Sequence, residues 1–175
     1  MSKKAIFLDR DGVINKEVNY LYKIENFEFI NGIFESCLYF QNLGYIIIII
    51  TNQSGISRDF YSDNDYQELT TWMLEEFAKH GIIIHDTFYC PHGPESNCKC
   101  RKPKPGMFLE AKKKHNTNMN ESWMIGDSEI DIRSANAANI QNTILVRSGK
   151  KINENTSNAK FILDSIKEAP NFILN

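Results

Sequence analysis

Residues 45–52 read Tyr-Ile-Ile-Ile-Ile-Ile-Thr-Asn. Successive side chains of a strand point to opposite faces, so five isoleucines in a row leave neither face polar. The β-branched run favours a strand, and a strand apolar on both faces belongs inside a parallel sheet covered by helices. It gives way to Thr51-Asn52-Gln53-Ser54-Gly55, a polar loop at the strand end where open parallel sheets place their chemistry.

The same form recurs on either side. Residues 5–8 are a short apolar run stopped by Asp9-Arg10-Asp11-Gly12. A helix is expected over 35–43, with Gly44 past its end, before the isoleucine strand. Ser62 reads as the N-cap of a long helix with Tyr66, Leu69, Met73 and Phe77 on one face and Gly81 as its stop. A strand over 82–89 follows, then a helix over 107–115 after Pro103 and Pro105, which should hold the chain extended. Residues 123–125 form a strand that ends in Gly126-Asp127, and 130–138 form a helix. Residues 143–146 and 161–163 are strands, with a frayed helix at the end. This alternation predicts an α/β, doubly wound, mainly parallel sheet in one domain over residues 1–175.

Composition sets the class. The chain has 175 residues, 42% hydrophobic and 24% charged, enough to bury a core without disulfides. A formal charge of −2 removes the broad electrostatic argument for nucleic acid. The run 46–50 is far too short to span a bilayer, and the start Met1-Ser2-Lys3-Lys4 has no signal-peptide form. The expectation is a cytoplasmic enzyme, monomeric for want of a spare apolar stripe, with no membrane or nucleic-acid partner.

Asp9 and Asp11 flank Arg10 at the end of the first strand, and Gly12 permits a sharp turn. Asp-x-Asp-Gly is also ordinary turn chemistry, so the pair needs support from the rest of the chain. Two carboxylates this close repel unless a cation joins them or one holds a proton. Phosphoryl transfer uses both states. Asp9, kept ionised by Mg²⁺ and a lysine, would attack phosphorus; Asp11, kept protonated, would protonate the leaving oxygen and then activate water. Thr51 and Asn52, Lys102 and Lys104 between prolines, and Gly126-Asp127-Ser128-Glu129-Ile130-Asp131 all follow predicted strands. In a parallel sheet they converge on one edge.

Cys90, His92, Cys98 and Cys100 crowd into eleven residues. Three thiols and an imidazole suit a closed tetrahedral Zn²⁺ site, structural because no position is left for substrate. A redox pair of Cys98 and Cys100, or reduced core cysteines, would leave His92 unexplained. Cys37, at helical spacing from Phe34 and Leu38, is a small core residue, and Trp72 and Trp123 are packing residues. His80, His85 and His115 have no evident partners, and 112–114 reads as a solvated lysine face.

The ordered set Leu8-Asp9-Arg10-Asp11-Gly12-Val13, Thr51-Asn52, Lys102 and Gly126-Asp127 with Asp131 resembles the haloacid dehalogenase superfamily of phosphohydrolases. The cysteine loop narrows the resemblance to the histidinol-phosphatase-like branch. Within it, residues 7–15, 26–30, 51–56 and 100–107 look like heptose bisphosphate phosphatases, and the likeness runs from about residue 4 to about residue 149. Two features depart from that pattern. The spacer 93–97 is short, as in histidinol-phosphate phosphatases, and Ser128 stands where many heptose enzymes have lysine.

The resemblance implies a haloacid dehalogenase-like Rossmannoid fold with no separate cap domain. It also implies roles by position. Asp9 is nucleophile and Mg²⁺ ligand, and Asp11 is general acid/base and gives Mg²⁺ its carbonyl. Thr51 bonds the transferring phosphoryl group, and Lys102 neutralises it. Asp127 completes the Mg²⁺ contacts, and Asp131 orients the loop. Glu17, Val18, Asn19, Tyr20, Asn52, Gln53, Ser54 and Arg101 recognise the rest of a small phosphorylated sugar, Arg101 gripping a second phosphate. The implied reaction removes the 7-phosphate of a manno-heptose 1,7-bisphosphate for nucleotide-heptose and surface polysaccharide synthesis. Histidinol phosphate is the alternative substrate. A non-catalytic zinc module or a phospho-receiver is the alternative of another class, although a receiver carries its phospho-acceptor nearer mid-chain.

Overall fold

A computed structural model describes residues 2–174. Six parallel strands form one sheet in the order β3-β2-β1-β4-β5-β6: β1 Ala5–Leu8, β2 Ile46–Asn52, β3 Ile84–Cys90, β4 Trp123–Gly126, β5 Asn142–Val146 and β6 Phe161–Leu163. The order turns back on itself between β1 and β4. There the helices of the two halves leave on opposite faces and a crevice opens at the strand ends.

The isoleucine strand behaves as its composition demands. Ile47 and Ile49 enter one apolar core with Ile6, Leu8, Met73 and Phe77. Ile46, Ile48 and Ile50 enter the other with Phe7, Phe108 and Met124. The covering helices are α1 Ile33–Asn42, α2 Asp63–Lys79, α3 Gly106–His115 and α4 Glu129–Ala137. Helix α2 starts at a reciprocal cap in which Ser62 Oγ accepts from Asp65 N and Asp65 accepts from Ser62 N. Cys37 and Trp123 are buried, and Trp72 packs against the first core. Between the Asp9–Asp11 pair and α1 the described chain makes turns and short bridges but no inserted domain.

Several local expectations change. Helix α1 begins two residues early because Gly32, at φ +86, lets its N-terminus press against Lys167, where a Cβ would collide. The C-terminal segment is no frayed helix. It is a 3-10 helix, Ile166–Asn171, whose Ile166 and Ala169 are buried in the first core. Pro170 lies within it and lacks the N–H that an α-helix would use.

Residues 101–105 turn instead of running extended: Lys104 N donates to Arg101 O at 2.9 Å, and the Lys102–Pro103 peptide is cis. Two histidines do have partners. His115 Nε2 lies 2.7 Å from Asp86 Oδ2, and His80 stacks on Phe34 with ring centroids 3.8 Å apart. These contacts join residues distant in sequence, so spacing along the chain could not show them. Lys112, Lys113 and Lys114 are all exposed, and Lys114 also pairs with Asp86.

Candidate active site

The sheet places three acidic side chains at the ends of adjacent strands. Asp9 follows β1 directly, its N–H still bonded to Ile125 O, and Asp127 follows β4. Asp131 lies in the first turn of α4, where Oδ2 accepts from Ser128 N and Oγ. Carboxylate oxygens of Asp9, Asp127 and Asp131 lie within 4.8 Å of one another, and all three residues are buried.

One lysine faces this cluster. Lys102 Nζ meets Asp131 Oδ1 at 2.7 Å, Ile50 O at 2.8 Å and Asp9 Oδ1 at 3.0 Å. One carbonyl hydrogen bond and two carboxylate ion pairs explain how a lysine side chain can be buried here. Burial alone would depress its pKa, but Asp131 and Asp9 outweigh that and raise it. The carboxylates still outnumber it. Burial and Asp131 hold Asp9 well above the usual range despite Lys102, and burial with Asp131 pushes Asp127 up to about 6. Uncompensated negative charge in a buried cluster of oxygen donors calls for a hard cation.

The residues present fit that cation. Asp127 Oδ1 is buried and has no hydrogen-bond partner, while Oδ2 accepts from Lys150 N at 3.0 Å. A Cβ on either Gly12 or Gly149 would strike the Asp127 carboxyl group, so two close backbone passes shape its place. Asp131 Oδ1 likewise has no hydrogen-bond partner but faces Lys102 at 2.7 Å, and its Oδ2 caps α4, so Asp9 and Asp127 are the side chains placed to hold Mg²⁺.

Asp11 is surrounded by donors. Its Oδ1 accepts from Arg10 Nη2 at 2.9 Å and Asn15 Nδ2 at 3.0 Å, and its Oδ2 from Arg10 Nη2 at 3.0 Å and Gln53 Nε2 at 3.1 Å. Every one of these neighbours donates, so Asp11 is the acceptor in all four contacts. Arg10 is buried and anchored further on Leu21 O, and Tyr61 orients Gln53 by donating to its Oε1.

A pocket opens above these groups. Glu17, Val18, Asn19, Tyr20, Asn52, Gln53, Ser54, Arg101 and Lys102 all line it, as do Asp9, Asp11 and Asp131. Thr51 does not: it is buried behind Gln53, whose Nε2 donates to Thr51 Oγ1 at 2.9 Å. Asp127 likewise lies beneath the lining. Lys104 serves elsewhere, reaching Cys98 O at 2.6 Å.

The cysteine loop stands beside the pocket. Sulfur and nitrogen atoms of Cys90, His92, Cys98 and Cys100 lie within 4.8 Å of one another, with individual separations of 3.1 to 3.7 Å. Bonds of ~2.3 Å to a tetrahedral centre imply edges of roughly 3.8 Å, so the four donors are gathered as a metal would hold them. Burial pushes the Cys90 thiol up to about 12. At Cys98 the Arg101 backbone N–H and the neighbouring thiols outweigh burial and bring the group to about 6. Arg101 Nη1 donates to His92 O at 2.9 Å, so the cluster fixes the arginine on the pocket wall.

Comparison with known proteins places this geometry. A family model described as HAD-hydrolase-like matches residues 99–169. A D-glycero-beta-D-manno-heptose-1,7-bisphosphate 7-phosphatase of Vibrio cholerae is 43% identical over 182 residues, covering 99% of this chain and 98% of the relative. The chain belongs to the heptose-1,7-bisphosphate 7-phosphatase family. A Campylobacter jejuni member named for the alpha anomer is 47% identical over 171 residues, covering 96% of this chain and 98% of its own. The solved D,D-heptose 1,7-bisphosphate phosphatase of B. bronchiseptica, complexed with magnesium and phosphate, matches with a TM-score of 0.84 at 25% identity over 97% of both chains.

Within this family fold, sequence reasoning missed Lys150, Tyr61 and the tethering role of Arg10. Lys150 lines the pocket; burial lowers its pKa, but Asp127, Asp9 and Glu17 outweigh that and raise it. Its only sequence signal is its place just after β5, at the same sheet edge as the acidic loops.

Proposed function

We propose that this chain is a Mg²⁺-dependent phosphatase that removes the 7-phosphate of D-glycero-D-manno-heptose 1,7-bisphosphate and releases heptose 1-phosphate. The carrying observation is the placement of two cations on one pocket. Lys102 is locked onto Asp9 and Asp131 at the floor, and Arg101 is held on the wall by His92 O. A bisphosphate uses both; histidinol phosphate offers one phosphate and an amine that Arg101 would repel. The named relatives support the same choice.

Asp9 attacks phosphorus in line with the leaving oxygen and becomes an aspartyl-phosphate, which water then cleaves. Lys102 offsets charge on the transferring oxygens. Asp11 takes a proton from the attacking water in the second half. To protonate the leaving oxygen in the first half, it must carry a proton, which weakens its hold on Arg10 and frees the group to turn. Mg²⁺ at Asp9, Asp127 and the Asp11 carbonyl supplies Lewis-acid stabilisation of the phosphoryl charge. Thr51 acts through Gln53 or after a local shift, since Gln53 now covers it. Glu17, Val18, Asn19, Tyr20, Asn52, Gln53 and Ser54 meet the sugar.

We read the Cys90-His92-Cys98-Cys100 cluster as a structural Zn²⁺ site, residues 1–175 as one catalytic domain, and the product as a precursor of nucleotide-heptose. A cytoplasmic setting suits an unbridged thiol cluster. The near-neutral charge suits a monomer that takes no nucleic acid. No helix among the described residues is long and apolar enough to cross a membrane.

The test is phosphate release with Mg²⁺ from both heptose bisphosphate anomers and from histidinol phosphate. Preference for one heptose anomer supports the reading and assigns the anomer. Preference for histidinol phosphate overturns it.

A further inference from the structure

Two loops meet over the mouth of the pocket, and each carries a residue in the left-handed region: Tyr20 at φ 57 and Asp59 at φ 58. Aspartate tolerates that conformation, because its short polar side chain bonds locally; a bulky aromatic residue does not adopt it without support from its surroundings. Residues 19 and 20 form a local turn, and among the described residues no backbone–backbone hydrogen bond ties residues 17–22 to the rest of the fold. The anchors of this segment are side chains. Leu21 O accepts from Arg10, the Tyr22 ring stacks on Tyr61 at 5.4 Å, and the Tyr20 ring meets Phe60 edge-on at 4.5 Å.

Phe60 stands out in this set. It is 52% exposed, does not line the pocket, and follows Asp59 directly. Its own loop is closed behind it by Phe60 N donating to Gly55 O at 3.0 Å, so the ring sits on a fixed turn. Tyr20, 41% exposed, does line the pocket. An exposed phenylalanine on a rigid turn, packed against a strained pocket-wall tyrosine, has a use if it holds that tyrosine in place.

We propose that Phe60 is a positioning residue for recognition of the sugar end of the substrate: it fixes Tyr20, and through it the 17–20 wall, in the conformation that meets the sugar. Phe60 touches neither the carboxylates nor Lys102, so it sets the affinity for an extended substrate and leaves the chemical step alone. The proposal rests on the sugar-phosphate reading above, and its test separates the two.

Phe60→Ala and Phe60→Tyr are compared with the parent protein in two measurements. In backbone NMR relaxation, the order parameters of residues 17–22 should fall in Phe60→Ala, with the sheet unchanged, and Phe60→Tyr should restore them. In kinetics, Phe60→Ala should raise KM for heptose bisphosphate roughly three- to tenfold, as expected for loss of one aromatic pair, with kcat within about twofold. Turnover of acetyl phosphate, which has no sugar to be gripped, should not change. Unchanged order parameters over 17–22 overturn the proposal, as does a loosened segment with an unaltered KM. A parent protein inactive on the bisphosphate but active on acetyl phosphate sinks the sugar reading alone. The relaxation result then still decides whether Phe60 holds Tyr20.

Discussion

The molecule gathers metal-type donors in two places, and they differ in every respect that matters to function. Asp9, Asp127 and Asp131 are buried oxygen donors carried by strand ends and a helix cap. Cys90, His92, Cys98 and Cys100 are sulfur and nitrogen donors on a loop, two of them only partly buried and His92 exposed. The first cluster is positioned by the sheet and keeps a carboxylate oxygen without a partner. The second has no sheet beyond Cys90 to shape it, so the donors must shape the loop. Hard donors left short of positive charge do chemistry; soft donors that complete a shell hold structure.

The largest expected effect separates the clusters most sharply. Asp9→Asn should lower phosphatase turnover by about 10³-fold or more, because a carboxamide is a far poorer nucleophile toward phosphorus. The same change removes a buried, repelled carboxylate, so the metal-free protein should unfold at an equal or higher temperature. An Asp9→Asn variant that still turns over at near-parent rates would break the contrast between a working and a structural cluster.

A smaller effect is expected at the cysteine loop. Cys100→Ser should abolish bound zinc, measured as metal per chain, and lower the unfolding temperature. It should reduce kcat/KM for the bisphosphate by roughly tenfold, because Arg101 loses its fixed support at His92 O, and should spare acetyl phosphate more. Equal loss on both substrates would mean the loop supports the whole fold and not Arg101 in particular.

The smallest effect is a dependence on pH. Without metal, Asp127 holds its proton to about 6 in the folded protein, above its ordinary value of 3.8. The folded state therefore binds more protons than the unfolded one between those values, and this group's contribution to metal-free stability declines as pH rises through that window. Mg²⁺ binds the deprotonated group. The gain in unfolding temperature on adding Mg²⁺ should thus be larger at pH 7.5 than at pH 5, as thermal melts at matched ionic strength would read it. A gain independent of pH would show that Asp127 is not the group linking protons to metal.

Much of this was legible in the chain. The isoleucines of β2 had to be covered on both faces, and the acidic and hydroxyl residues had to follow strands on one edge. The spacing of Cys90, His92, Cys98 and Cys100 was enough to expect a gathered cluster. Local patterns carry such information because strand periodicity, turn chemistry and ligand spacing act within a few residues. The bounds of α1 and the order of the C-terminal segment escaped, since Gly32 presses on Lys167 and Ser36 donates to Ile166 O from the far end of the chain.

What only the tertiary structure decided is which atoms face each other. Lys102 could be expected near the acidic pair, but its partition among Ile50 O, Asp9 and Asp131 follows from three elements meeting in a dry interior. The acceptor role of Asp11 follows from Arg10, Asn15 and Gln53 converging as donors. Lys150 enters the pocket because β5 lies next to β4, and Phe60 reaches Tyr20 because two loops far apart in sequence cross the same opening. The sequence determined the kinds of groups and the edge they share, through short-range pattern. Their pairing, charge and reach depend on distances between distant segments, which the packed sheet alone supplies.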